Sequence, residues 1–206
     1  MYQPAHFAET RAEVMHALMR AHPFATLVVV TAGGLEANHI PLLVYPDEGV
    51  LRGHVARANP LWREHDARVE ALAIFQGPQH YITPSWYPSK AEHHKVVPTW
   101  NYVVVHARGA MTVIDDAAWV INHVSEMTAH NEAGQARPWK VSDAPADYIA
   151  QTANAIVGIE IKMSTLTGKW KVSQNRPEKD RAGVVQGLSE LGSDEAAAMA
   201  KIVAAQ

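Results

Sequence analysis

Residues 95–109, KVVPTWNYVVVHARG, contain the strand that decides the fold. The second half, YVVVHARG, is rich in β-branched residues, and such a run is typical of a buried strand. The first half places a proline, a threonine, a tryptophan and an asparagine side by side. Strand alternation predicts Thr99 and Asn101 on one face, and Trp100 and Tyr102 on the other. This strand therefore begins with more polar and aromatic groups than packing alone requires.

Short strand patterns surround this segment. The runs at 24–31 and 35–45, joined by a Gly-Gly turn, predict a hairpin, and further strand patterns follow at 50–55 and 69–76. Near the carboxyl end, VGIEIKMSTLTGKWKV predicts strand, turn and strand, with the reversal near Gly168. Six or seven strands in meander order, without regular strand–helix alternation, favour a mostly antiparallel barrel.

Capping patterns predict helices at the start, middle and end of the chain. Thr10 with a glutamate three residues later resembles a capping box, Asp116 precedes a helical pattern, and Ser193 precedes another. Residues 77–98 contain four prolines and are predicted to be a long loop with a short strand near 79–82. The 206 residues suit one domain, 1–206, with helical additions.

Composition excludes several classes of protein. No run of roughly 18 apolar residues is present, so we expect no membrane span. The chain has no cysteine and no signal-peptide pattern, which predicts a cytoplasmic protein. A net charge of −3 gives no general attraction to nucleic acid, so we expect no direct binding to it. The twelve histidines lack metal-ligand spacing, and we expect no metal site.

Two candidate sites follow from local patterns. His54 and Arg57, with the helix start after Asn59, suit an anion such as phosphate; alternatively Arg57 is a solvated charge and Asn59 only a cap. The PTWN stretch suits a flat heteroaromatic ligand; alternatively its tryptophan plugs the barrel and its asparagine pairs with backbone.

A third candidate follows the last strand. The amide groups of residues 173–176, SQNR, suit a polyol chain, and Arg176 suits a phosphate or a carboxylate. The same residues also form an ordinary pattern for a turn that leads into a helix. No catalytic triad pattern and no glycine-rich nucleotide loop is present.

Taken together, these motifs resemble one known family. The order of YQPAHF, HIPL, LRGHVARANPLW, AIFQGPQHYITPSWYPSK, VVPTWNYVVVHARG and KVSQNRPEKDRAGVVQGL, over residues 2–188, is similar to the PaiB family of FMN-binding split-barrel proteins, usually labelled FMN-binding negative transcriptional regulators. The resemblance implies a mainly β fold with peripheral helices, a split β-barrel of the pyridoxamine-phosphate-oxidase type. It also implies a homodimer with two FMN sites at the subunit interface.

The resemblance further implies a set of cofactor-binding residues. They are His54, Arg57, Asn59, Ser85, Trp86, Thr99, Trp100, Asn101, Gln174, Asn175 and Arg176. Within this set we infer Arg57 or Arg176 for the phosphate, asparagine and glutamine groups for the ribityl chain and ring edges, and tryptophan for the ring face or the partner subunit. No catalytic residue is assigned.

The predicted function is FMN binding, with flavin redox chemistry of unknown substrate that affects transcription only indirectly. Two alternatives stay open. One is a regulatory or binding module without turnover, and the other is a haem-binding split barrel in which His54, His93, His94 or His106 holds the iron.

Overall fold

The computed structural model describes residues 1–206, with eight strands, seven α-helices and three single turns of 3-10 helix. The strands are β1 (Ala8–Glu9), β2 (Phe24–Thr31), β3 (Gly34–Pro41), β4 (Leu43–Tyr45), β5 (Val50–Ala56), β6 (Ala71–Ile82), β7 (Thr99–Ile114) and β8 (Ile156–Lys171). The helices are α1 (Ala12–Ala21), α2 (Leu61–Glu64), α3 (Ser89–His93), α4 (Ala117–Glu132), α5 (Ala146–Ala153), α6 (Glu178–Glu190) and α7 (Asp194–Ala204). The 3-10 turns are Ala5–Phe7, Pro84–Trp86 and Val141–Asp143.

All eight strands belong to one sheet. Its order is β3-β2-β6-β7-β8-β5-β4, and β1 pairs with the end of β8. The pairs β1–β8, β2–β3, β2–β6, β4–β5 and β5–β8 are antiparallel. The mainly β fold with peripheral helices is therefore as predicted, although the sequence indicated six or seven strands rather than eight. The predicted meander order is wrong, because β2 pairs with β6 and β5 pairs with β8.

The chain divides into two compact units. The first unit comprises Met1–Ala21, Gln76–His106 and Thr167–Gln206, and the second comprises His22–Phe75 and Ala107–Leu166. The three longest strands, β6, β7 and β8, contribute residues to both. A single domain over residues 1–206 stays a prediction.

One hairpin turn and two helix caps that the local sequence predicted are present in the structure. The β2–β3 hairpin turns at Gly34, whose φ of +111° favours glycine. The carboxylate of Asp116 accepts a hydrogen bond from Trp119 N at 2.7 Å, and the Ser193 hydroxyl accepts one from Ala196 N at 3.3 Å. These two caps begin α4 and α7, because each satisfies a backbone N–H that the helix leaves unpaired.

The predicted reversal near Gly168 is wrong. Residues Ile156–Lys171 form one continuous strand, and Gly168 does not have a positive φ. A Cβ at this position would lie 2.7 Å from the sulfur of Met15. The glycine therefore lets α1 pack closely on β8, and it is not a turn residue.

The predicted long loop is also shorter than expected. Strand β6 continues through Pro78 to Ile82, and the remainder contains the Pro84–Trp86 turn and α3. At Gly77 a Cβ would lie 2.6 Å from side-chain atoms of both Leu18 and Val103. The glycine marks a close approach of neighbouring elements.

Each unit has its own buried apolar residues. In the first unit they include Ile82, Tyr87, Val103, Val172, Val184, Leu188 and Met199. In the second unit they include Leu27, Leu51, Phe75, Ile159 and Ile161. None of the helices combines the length and the apolar character needed to cross a bilayer.

Candidate functional site

Lys171, the last residue of β8, connects the ends of two strands in the first unit. Its ammonium group donates to Thr99 Oγ1 and, at 2.6 Å, to the backbone oxygen of Trp100. Both acceptors lie at the first two residues of β7. The polar entrance of β7 therefore meets a half-buried positive charge that we did not include among the predicted site residues.

Two further cations lie near this ammonium group. Burial lowers the pKa of Lys171, and the positive charges of Lys169 and Arg176 lower it further. No carboxylate forms a salt bridge with Lys169, Lys171 or Arg176. We call these three residues the cationic cluster. A partly buried cluster of like charges is unfavourable without a counter-ion, so its arrangement suits an anionic ligand.

Aromatic rings support two members of the cationic cluster. Lys169 lies over the rings of Tyr2 and Tyr102 at 5.6 and 5.4 Å from their centroids, and the Arg176 guanidinium lies 4.9 Å from that of Tyr87. Tyr87 is 2% exposed, and its hydroxyl has no hydrogen-bond partner. Burial raises the pKa of this tyrosine. Its hydroxyl is an orphaned polar group near Arg176.

Asn101 forms a buried polar pair with Ser173, which lies between Lys171 and Arg176 in sequence. Asn101 is 1% exposed and donates through Nδ2 to Ser173 Oγ at 2.9 Å. Ser173 has a φ of +66°, which costs roughly 1–3 kcal/mol for a residue other than glycine. Such strain is concentrated at functional sites, which favours a ligand-related role for this pair. The alternative that Asn101 only pairs with backbone is wrong.

The amide of Gln174 is bonded within its own segment. Its Oε1 accepts from Val172 N at 2.8 Å, and its Nε2 donates to Trp170 O. These bonds close the turn after β8 in place of a strand partner. Asn175, the next residue, is exposed. Contact of either residue with a ligand stays a prediction.

Trp100 does not plug the barrel. Its side chain is 54% exposed, while Asn101, its neighbour on the opposite face of β7, is buried. The ring makes an edge-on contact with Tyr81, with 6.1 Å between the centroids. Val97 is a further apolar residue of the first unit with an exposed side chain, at 63%.

Ser85 and Trp86 line a groove of about 510 Å³ in the first unit. The groove is lined by Ser85, Trp86, Tyr87, Pro88, Lys90, Ala91, His94, Gly183, Gln186, Gly187 and Glu190. The indole packs so closely on Gly187 that a Cβ there would lie 2.3 Å from ring atoms. The Ser85 hydroxyl accepts from Lys90 Nζ at 3.2 Å. Packing against α6 thus explains the position of the indole.

The other three predicted residues belong to the second unit. Arg57 makes a bidentate salt bridge to Asp115, with 2.6 and 2.8 Å between nitrogen and oxygen atoms. Asn59 donates to Asn38 Oδ1 at 2.7 Å and accepts from Leu61 N at 2.9 Å. An anion at Arg57 would compete with the Asp115 carboxylate, whereas Arg176 has no such competitor.

His54 lies beside a second buried histidine. The centroids of His54 and His123 are 5.5 Å apart, and Trp119 stacks on His123. Neither ring nitrogen of His123 has a hydrogen-bond partner, and Nδ1 of His54 also lacks one. Burial lowers the pKa of both, that of His123 to about 4. No group of three or more His, Asp and Glu side chains is placed to hold a metal ion.

The residues of the first unit fit the polar part of a flavin mononucleotide. Ammonium and guanidinium groups suit a phosphate, and the Asn101–Ser173 pair and the Tyr87 hydroxyl can supply directed hydrogen bonds. Sequence reasoning missed Lys171 and Lys169. The available signal was the KWK pattern, since strand alternation places both lysines on one face of β8 beside the SQNR motif.

Comparisons with known proteins show the family of this chain. The family model described as "Putative FMN-binding domain" matches residues 1–165. The protease synthase and sporulation protein PAI 2 of Bacillus subtilis is 31% identical and aligns over 98% of this chain and 96% of its own.

Solved structures identify the fold. The flavocytochrome Anf3 of Azotobacter vinelandii matches with a TM-score of 0.60 and 15% identity over 85% of this chain and 75% of its own. A FAD and heme binding protein of Mycobacterium smegmatis matches with a TM-score of 0.60 and 16% identity over 85% and 78%. The predicted split-barrel fold is confirmed.

Proposed function

Because this chain belongs to the family of FMN-binding domains that includes PAI 2, we propose that it binds FMN with the phosphate at the cationic cluster. The observation that carries this assignment is that Lys171 and Arg176, both partly buried, have no carboxylate partner. Between the two arginines predicted for the phosphate, this favours Arg176, because Arg57 already pairs with Asp115.

In this proposal the residues of the chain seat and orient the cofactor. Arg176 and Lys171 hold the phosphate, and Thr99 together with the Asn101–Ser173 pair hydrogen-bonds its polar groups. Bound FMN would supply the electron transfer, and the protein would supply its binding and orientation. The remaining predicted contacts stay part of the proposal: His54, Arg57, Asn59, Ser85, Trp86, Trp100, Gln174 and Asn175.

FMN binding is tested by adding FMN to the purified protein and following the quenching of flavin fluorescence. We expect saturable binding, which Arg176→Gln weakens roughly tenfold or more through loss of a charge-assisted hydrogen bond. Arg20→Gln is the matched control, because Arg20 is an exposed arginine of the same unit without a salt bridge. Failure of the wild-type protein to bind FMN would refute the proposal.

We further propose that the flavin undergoes redox turnover and that any effect on transcription is indirect. The net charge of −3 supports an indirect effect, since direct DNA binding depends on clustered basic residues that neutralise phosphates. Reduction of bound FMN by NADH or NADPH, with no retardation of DNA fragments at low salt, is the expected result. Absence of reduction would favour the regulatory module without turnover, and tight sequence-specific retardation would contradict the indirect role.

A homodimer is also proposed, with Trp100 facing the second subunit. The support is the exposure of Trp100, Tyr81 and Val97 in one unit. Sedimentation analysis should give a dimer for the wild-type protein and a weakened one for Trp100→Glu. Trp139→Glu is the control, because Trp139 is another tryptophan with an exposed side chain. A wild-type monomer would refute this proposal.

A cytoplasmic location is likewise proposed, and cell fractionation tests it.

A further inference from the structure

Two neighbouring histidines of the second unit carry buried ring nitrogens that have no hydrogen-bond partner. His123 on α4 is 3% exposed, and both of its ring nitrogens lack a partner. Nδ1 of His54 on β5 is also buried and lacks one. A buried polar atom without a partner is unfavourable, so native proteins contain few of them. Three such atoms on two adjacent rings indicate a ligand that the two rings share.

The distance between the two rings suits one metal ion held by both. Their centroids are 5.5 Å apart, and the ring planes are inclined by 72°, so the rings do not stack on each other. Two imidazoles that each bind an ion through a nitrogen at about 2.0 Å place their centroids about 5–6 Å apart in a bent arrangement. Burial disfavours the charged form of both rings, and a neutral imidazole is the form that binds a metal.

The side chains available at this place indicate a soft metal ion rather than zinc. Met127 lies one turn after His123 on the same face of α4 and is 8% exposed. A structural zinc ion takes four ligands, whereas no group of three or more His, Asp and Glu side chains is placed to hold a metal ion. Monovalent copper, Cu(I), accepts two or three ligands, and imidazole nitrogen and thioether sulfur both suit it.

A cavity beside His123 offers a path for a cation. It measures about 250 Å³ and is lined by Arg52, Trp119, Asn122, His123 and Glu126. The side chains of Asn122 and Glu126 are exposed, so the cavity opens to solvent. The Arg52 guanidinium forms salt bridges with Glu48 and Glu160. With Glu126, three carboxylates thus surround one guanidinium, and their net negative charge favours the entry of a cation.

We propose that His54, His123 and Met127 form a binding site for Cu(I), with the two histidines as its principal ligands. The site goes beyond the proposed FMN binding and does not depend on it. It uses Nδ1 of His54 and leaves Nε2 of the same ring for the cofactor contact predicted above. Ligand spacing in the sequence did not indicate this site, because His54 and His123 belong to segments that only the fold brings together.

The test measures Cu(I) binding by the purified full-length protein, with ascorbate as the reductant and a coloured Cu(I) chelator as the competitor. We expect one Cu(I) per chain. His123→Phe and His54→Phe should each weaken binding roughly a hundredfold or more, because losing a ligand costs more than losing a group that only orients one. His65→Phe is the matched control, since His65 also has an unpartnered Nδ1 but forms no pair with another histidine. Equal Cu(I) affinity in His123→Phe and the wild-type protein would overturn the inference.

Two further measurements separate binding from folding. Met127→Leu keeps both histidines and a similar apolar volume, and we expect it to weaken Cu(I) binding roughly tenfold. An unchanged affinity in this variant would overturn the assignment of the thioether. Zn²⁺ bound as tightly as Cu(I) would contradict the preference for a soft ion.

Nuclear magnetic resonance of the wild-type protein with Ag⁺, a soft ion that is not oxidised or reduced here, tests the ligands without any substitution. The ring signals of His54 and His123 should shift on addition of one equivalent, whereas those of His65 should not. Near-ultraviolet circular dichroism shows whether the histidine variants are folded, and the Ag⁺ spectra decide the question if they are not. Shifts that leave out both His54 and His123 would refute the site.

Discussion

Gly183 in α6 offers the sharpest test of the packing in the first unit. In Gly183→Ala the new Cβ would lie 2.0 Å from the backbone oxygen of Trp86 and 3.1 Å from Cδ of Pro88. Real Cβ contacts shorter than 3.0 Å are essentially never observed. Neither a backbone carbonyl nor a proline ring can rotate away, so α6 and the segment around Trp86 must separate.

Gly183→Ala changes the free energy of unfolding through effects of opposite sign. Overpacking of this kind costs about 1–3 kcal/mol. The separation also strains the bonds from Ser89 N and Oγ to the Asp180 carboxylate, at 3.1 and 2.7 Å, and loss of a bond to a charged group costs about 1.5–3 kcal/mol. Against this, alanine favours a helix interior over glycine by about 1 kcal/mol. The net expectation is a loss of about 2–4 kcal/mol in the free energy of unfolding.

Urea unfolding followed by circular dichroism measures this loss directly. For a chain of this size it corresponds to a decrease in Tm of about 4–16 °C. Gly134→Ala is the control, because a Cβ at Gly134 would meet nothing within 4 Å. If Gly183→Ala were as stable as the wild-type protein, the close contact between α6 and Trp86 would not exist as described.

Three further predictions concern stability. Burial lowers the pKa of His123 to about 4, below the 6.5 of a free histidine, so protons bind the unfolded chain preferentially. The free energy of unfolding should thus fall through His123 by on the order of 3 kcal/mol from pH 6.5 to 4, and His123→Phe should reduce the total fall in urea titrations by about this amount. Part of the fall should remain, because burial also lowers the pKa of His54. Asn101→Ala and Ser173→Ala should each cost about 1–3 kcal/mol, and a double-mutant cycle showing full additivity would contradict their hydrogen bond. Gly168→Ala should cost less than Gly183→Ala, because the flexible Met15 side chain can move away; thermal melts that rank them the other way would refute this.

Local chemistry explains which parts of the fold were predictable. Asp116 and Ser193 cap helices with side chains that each reach three residues along the chain, so sequence alone is sufficient. The β2–β3 hairpin is equally local. Gly168 was misread as a turn because the reason for the glycine, the sulfur of Met15, is distant in sequence. A glycine within a strand often allows another group to approach closely, and the sequence does not identify that group.

The candidate site shows the same division. The alternation of Asn101 and Trp100 was predictable, because it depends only on the period of a strand. The hydrogen bond from Asn101 to Ser173 and the pairing of Arg57 with Asp115 were not, since each joins residues more than fifty positions apart. How strongly Arg57 attracts an anionic ligand depends on the Asp115 carboxylate, because that carboxylate offsets the positive charge of Arg57.

The sequence by itself determined the class of fold, the caps of α4 and α7, the two faces of β7 and, through the order of its motifs, the FMN-binding family. Only the tertiary structure decided which charges are compensated. The sequence offered Arg57 and Arg176 equally as ligands for the phosphate. In the structure Arg57 pairs with the Asp115 carboxylate, whereas Arg176 lies over the ring of Tyr87 and has no carboxylate partner. Lys171 gained its importance in the same way, from acceptors on β7 and from burial next to other cations. The energy of a charge depends on distance and solvent exposure, and both arise only when distant segments meet.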